Sequence, residues 1–61
     1  MLEIAVCDDE ILTASNIEKM IENLAGKDAI DVDIDIFYDG STLVNHIDQG
    51  KRYDIIYLDI E

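Results

Sequence analysis

Two short apolar runs, Leu2-Glu3-Ile4-Ala5-Val6-Cys7 and Ile55-Ile56-Tyr57-Leu58, constrain this chain more than any other feature. Both are rich in β-formers, and each ends in acid: Asp8-Asp9-Glu10 follows the first and Asp59 the second. A nearly continuous apolar run of this length is the pattern of a parallel strand covered on both faces. Two such strands running the same way deliver their terminal carboxylates to one edge of a sheet.

The segment between them alternates helix, strand and helix. Ile11, Leu12, Ala14, Ile17, Met20, Ile21 and Leu24 recur at spacings of three and four, with Glu18, Lys19, Glu22 and Asn23 on the opposite face. This predicts a helix from about Glu10 to Ala25, capped by Asp8 or Asp9 and closed by Gly26, with Lys27 just beyond. Residues Ile30 to Tyr38 then alternate strictly, Ile30, Val32, Ile34 and Ile36 against Asp31, Asp33 and Asp35. That is the period of an edge strand with one wet face, whose aspartates repel an approaching strand. Asp39-Gly40 turns the chain, Ser41 is expected to cap a second helix carrying Leu43, Val44 and Ile47, and Gly50 ends it. Tyr53 to Leu58 forms the third strand, apolar on both faces beyond Asp54, and reads as central in its sheet.

The order βαβαβ implies parallel strands joined by right-handed crossovers, with strand one between strands two and three. In such sheets ligands gather beyond the carboxyl ends of the strands. Here that edge carries Asp8, Asp9 and Asp59.

Size and charge narrow the function. With 61 residues the chain is one small domain at most and buries only about 60% of the surface its unfolded form exposes. It has one cysteine and no clustered Cys/His set, which leaves oligomerisation or a missing remainder of the domain as the source of further stability. A net charge of -11 argues against direct contact with nucleic acid or an anionic membrane. Met1-Leu2-Glu3 lacks the basic start of a signal peptide, the apolar runs are too short to span a bilayer, and a lone Cys7 suits a reducing compartment. The expectation is a cytoplasmic protein.

Three carboxylates converging on one spot repel each other unless a cation joins them. Mg²⁺ prefers oxygen ligands, keeps several waters and commonly takes one or two carboxylates plus substrate phosphate, which suits this set better than zinc or an all-protein calcium cage. With that charge screened, one carboxylate is free to attack the phosphorus of a phosphoryl donor. Asp59 stands alone at its strand end and is the expected nucleophile, whereas Asp8 and Asp9 form a pair suited to the metal.

At these residues the chain resembles the first half of a two-component response-regulator receiver domain, most closely of the LytTR type. Ile4-Ala5-Val6-Cys7-Asp8-Asp9-Glu10 matches the acidic pair after strand one, and Tyr53-Asp54-Ile55-Ile56-Tyr57-Leu58-Asp59 matches the phosphoacceptor strand. The resemblance covers residues 1–61 as a partial receiver, roughly half of such a domain. It implies an α/β fold: the parallel three-stranded βαβαβ half of a flavodoxin-like, doubly wound receiver. It also implies that a histidine kinase phosphorylates Asp59, that Asp9 binds Mg²⁺ directly and Asp8 mostly through water, and that the backbone carbonyl of Glu61 completes the protein's share of the metal shell. Asp59 is then a phosphoacceptor rather than an enzyme's turnover residue, because the hydroxyl and lysine that stabilise the phosphoryl oxygens belong to the missing half. DNA contact and transcriptional output would come from a separate domain. The uncovered third strand leads to the expectation of a dimer or domain-swapped assembly.

Two other classes compete: a receiver-like interaction module that is never phosphorylated, and a haloacid-dehalogenase-type phosphatase suggested by Asp59-Ile60-Glu61. The intact acidic set argues against the first. In the second, the motif normally follows the first strand and its second acid is aspartate. Asp31, Asp33 and Asp35 echo an EF-hand loop, but Ile36 and Thr42 stand where that loop needs glycine and glutamate. His46 has no partner to orient it as a base. Cys7, Phe37, Tyr53 and Tyr57 read as packing residues.

Overall fold

In the computed structural model, which describes residues 1–59, the first apolar run becomes β1 (Leu2–Asp8) and the second becomes β3 (Ile55–Asp59). Between them lie α1 (Ile11–Lys27), β2 (Val32–Phe37) and α2 (Gly40–Asp48). The three strands form one parallel sheet in the order β2-β1-β3. β1 is therefore central, as the expected crossovers require, and β2 is an edge.

Successive residues of β1 point to opposite faces, so the two helices find separate cores. Ile4 and Val6 pack with Ala14 of α1, joined by half-buried Leu2, Ile17, Ile21, Val32, Ile34 and Ile36. Ala5 and Cys7 pack on the other face with Phe37 of β2 and Leu43 of α2, and Tyr53 closes over them. The packing residues of the sequence reading thus fall where expected, except Tyr57, which stays exposed on β3. Among the described residues no helix is long and apolar enough to cross a membrane.

Both helix starts differ from expectation. Glu10 occupies the N-cap of α1 and makes no side-chain cap, while the Asp8 carboxylate instead accepts from the Glu10 amide at 2.9 Å, before the helix begins. At α2 the cap is Asp39, not Ser41. Its Oδ1 accepts from the Thr42 amide at 2.8 Å and from the Ser41 hydroxyl at 2.8 Å, so the serine is a donor to the cap. The Thr42 amide, then the hydroxyls of Ser41 and Thr42, hold the Asp39 carboxyl below its ordinary range. An aspartate two residues earlier reaches the free amides of the first turn as an ionised acceptor, which is the stronger cap.

Helix ends show the same competition. α1 runs two residues past its end as expected from the pattern and passes through Gly26. The chain reverses at Ala29, which takes the left-handed conformation (φ 54°) while Ile30 donates to the Ala25 carbonyl at 2.9 Å and Ala29 to that of Gly26 at 3.3 Å. This is the paired bonding of a Schellman end with alanine where glycine is usual. At α2, Gly50 (φ 99°) does terminate the helix as expected.

The strands are shorter than their sequence patterns: β2 excludes Ile30, Asp31 and Tyr38, and β3 excludes Tyr53 and Asp54. Of the aspartates expected on a wet face, Asp33 is exposed, but Asp35 is half-buried and accepts from the Tyr53 hydroxyl at 2.7 Å. β3 reads as central from its apolar faces, yet among the described residues it pairs only with β1 and all five of its residues are exposed. α1 packs over β1 and β2, leaving an apolar groove of about 570 Å³ floored by Ile4, Ile55 and Tyr57 and walled by Ile17, Met20 and Leu24.

Candidate functional site

The carboxyl ends of β1 and β3 come out side by side. Their parallel register pairs Ile4 with Ile55, Val6 with Tyr57 and Asp8 with Asp59. Neighbouring strands lie about 4.8 Å apart, so the two aspartates leave the sheet as direct neighbours. The chain turns into α1 immediately after β1, and this carries Asp9, Glu10 and Thr13 over the same spot. Together the five residues line a cavity of about 330 Å³. The sequence-derived site residues Asp8, Asp9 and Asp59 are thus brought together; Glu61 lies outside the described residues.

Within this cluster the carboxylates differ sharply. Asp8 is buried, with 2% of its surface exposed, whereas Asp9 and Asp59 are exposed. The Asp8 Oδ1 accepts from the Glu10 amide, but Oδ2 is buried with no hydrogen-bond partner. A buried carboxylate oxygen without a donor is a costly arrangement unless something positive meets it. Among the described residues no three histidine, cysteine, aspartate or glutamate side chains are disposed to hold a metal ion by themselves. Mg²⁺ makes a smaller demand, one or two carboxylates with water completing the shell. The orphaned oxygen of Asp8, a residue that lines this cavity with other acids, fits that donor set.

Two lining residues were not singled out by sequence reasoning. Glu10 reads from the sequence as a helix-start residue, and Thr13 carries no pattern of its own. Thr13 lies three positions after Glu10, on the same face of the first turn, a spacing that reports its proximity once Glu10 is placed.

The remaining candidate groups are structural. Burial pushes the Cys7 thiol up from its ordinary value, and the Asp39 and Asp8 carboxylates push it the same way, so it stays protonated and donates to the Asp39 carbonyl at 3.4 Å. His46 is exposed, its Nδ1 lies 3.0 Å from the Thr42 carbonyl, and its ring meets Phe37 edge-on at 4.9 Å. Neither group lines the acidic cavity.

At the opposite end of the sheet a second polar cluster anchors the approach to β3. Lys51 pairs with Glu3 at 2.8 Å and sits 5.4 Å from the centre of the Tyr53 ring, while Tyr53 reaches Asp35 on β2. Asp54 meets Glu3 twice: its amide donates to the Glu3 carbonyl at 2.7 Å, and its Oδ2 accepts from the Glu3 amide at 2.9 Å. Compared with protein-family models, curated proteins and solved structures, the chain returns no match.

Proposed function

We propose that Asp59 accepts a phosphoryl group, and that this chain supplies the acceptor half of a flavodoxin-like receiver domain in a two-component phosphorelay. The observation that carries this is the in-register pairing of Asp8 with Asp59 at the carboxyl edge of a parallel sheet, over a cavity they share with Asp9. An exposed carboxylate at a strand end is accessible to a donor, while its buried neighbour is suited to hold a cation. One residue is placed to react and the other to stay.

In the reaction proposed, a carboxylate oxygen of Asp59 forms a bond to phosphorus as the bond from phosphorus to the donor breaks. The donor nitrogen of a histidine kinase's phosphohistidine keeps the electron pair, and no proton need move on Asp59. Asp8, Asp9 and Asp59, with the carbonyl of Glu61, are the groups that would hold Mg²⁺, whose charge offsets that of the phosphoryl oxygens. The added group, close to doubly charged, then alters which partner surface the domain favours. In this reading a DNA-binding output belongs to a separate domain, as the LytTR likeness implies, and the lone Cys7 suits a cytoplasmic protein.

The test is phosphoryl acceptance from acetyl phosphate with Mg²⁺, followed by intact mass, on the protein at its natural length. One phosphoryl group should appear on the wild type and none on D59N. A wild type of unchanged mass, beside a receiver that does gain phosphate, overturns the proposal.

A further inference from the structure

β3 has no periodicity with which to choose its own register. Ile55 and Tyr57 face the groove beside α1, Ile56 and Leu58 face the other way, and all four are apolar and exposed. Slipping a strand by one residue exchanges its two faces, and where only one face is apolar that exchange is strongly opposed. Here it replaces one apolar pair by another. The exchange would nevertheless take Asp59 away from Asp8, so something other than hydrophobic pattern must fix the pairing.

We propose that Asp54 is the positioning residue that sets the register of β3 and thereby brings Asp59 beside Asp8. Asp54 takes both backbone polar groups of Glu3, its amide donating to the carbonyl at 2.7 Å and its carboxylate accepting from the amide at 2.9 Å. A carboxylate accepting from an amide makes a charge-assisted bond, stronger than the neutral pairs of the ladder. Neighbouring groups hold the same stretch: Lys51 binds the Glu3 carboxylate, and Tyr53 reaches across to Asp35 of β2. From this anchor the ladder runs without interruption, Ile4 with Ile55 through to Asp8 with Asp59. Four residues, Ile55 to Leu58, separate the anchor from the acceptor, and their number decides which side chain meets Asp8.

The consequence for phosphoryl acceptance rests on the role proposed above for Asp59, whereas the register can be measured independently of it. Inserting one alanine between Asp54 and Ile55 separates the two possible rulers. If Asp54 sets the register, cross-strand NMR contacts move by one residue, Leu58 faces Asp8, and phosphoryl acceptance falls by about 10²-fold, the scale on which small misplacements of a reacting group act. If packing or the acidic end sets it, the alanine bulges out and Asp59 stays beside Asp8, which overturns the inference.

D54A should show two registers and D54N one, because the amide oxygen of asparagine still accepts from Glu3; a single native register in D54A also overturns it. The unaltered chain gives a third check that no folding defect can obscure. Its Glu3 amide should be protected from hydrogen exchange, and exchange at the open-chain rate means the anchor is not formed. Should the register follow Asp54 while the wild type accepts no phosphate, the phosphoacceptor reading fails and the positioning role stands.

Discussion

Replacing Asp8 by asparagine should stabilise the chain without divalent cations and remove its response to them. Asp8 is 2% exposed, and only one of its two oxygens has a donor. Asparagine has the same shape and keeps an oxygen to accept from the Glu10 amide. Where the orphaned oxygen stood it places a neutral NH₂ group, which removes one negative charge from a cavity also lined by Asp9, Glu10 and Asp59. An unsatisfied buried polar group costs about 1–3 kcal/mol, so D8N should gain roughly that amount in EDTA. For a domain of this size each kcal/mol moves Tm by roughly 4–8 °C. Magnesium should reverse the order: ligand at a hundred times its Kd stabilises by about 2.7 kcal/mol, available to the wild type and largely lost to D8N. Thermal unfolding followed by circular dichroism, in EDTA and across a Mg²⁺ titration, measures both terms. Lower stability of D8N in EDTA, or an equal magnesium gain in both proteins, would show that the Asp8 carboxylate is not an orphaned acceptor awaiting a cation.

Two further outcomes follow from local geometry. Ala29 holds a left-handed backbone at the end of α1, a conformation that costs a residue with Cβ about 1–2 kcal/mol; A29G should raise stability by about 1 kcal/mol in urea unfolding, after the entropy glycine loses on folding. Burial, then the hydrogen bond to Asp35, pushes the Tyr53 phenol from its ordinary 10.0 up to about 12. A raised value in the fold means that its contribution is intact below pH 10.0 and disappears as pH rises through about 12. Y53F should lack both the phenolate absorbance that appears near pH 12 and this part of the alkaline destabilisation; an unchanged titration in the variant would contradict the assignment.

Sheet order and the acidic edge were legible because each depends on a pattern carried by consecutive residues. The 3.6-residue recurrence in α1 and the strict alternation in β2 identify their elements, and two apolar runs closed by acids place Asp8, Asp9 and Asp59 together once the strands are parallel. Features decided by competition between near-equal neighbours were not. Ser41 and Asp39 both suit an N-cap, and Gly26 and Ala29 both lie near the end of a helix; three-dimensional bonding chose Asp39 and Ala29. The contrast between buried Asp8 and exposed Asp9 depends on how the chain leaves β1, which adjacent identical residues do not reveal. The anchor between Asp54 and Glu3 spans 51 positions, so no local window contains it. β3 shows the opposite failure: its apolar faces read as a central strand, yet its exposure depends on what else packs there.

The chemistry of Asp59 is open to direct measurement. After treatment with acetyl phosphate and Mg²⁺, borohydride reduction converts a phosphoaspartate to homoserine, and fragment mass spectrometry then locates it. A phosphoacceptor Asp59 gives conversion at Asp59 alone, with Asp8 and Asp9 unchanged and the signal lost when Mg²⁺ is withheld. Conversion at Asp8 or Asp9, or none at any aspartate under conditions that label a known receiver, would contradict it.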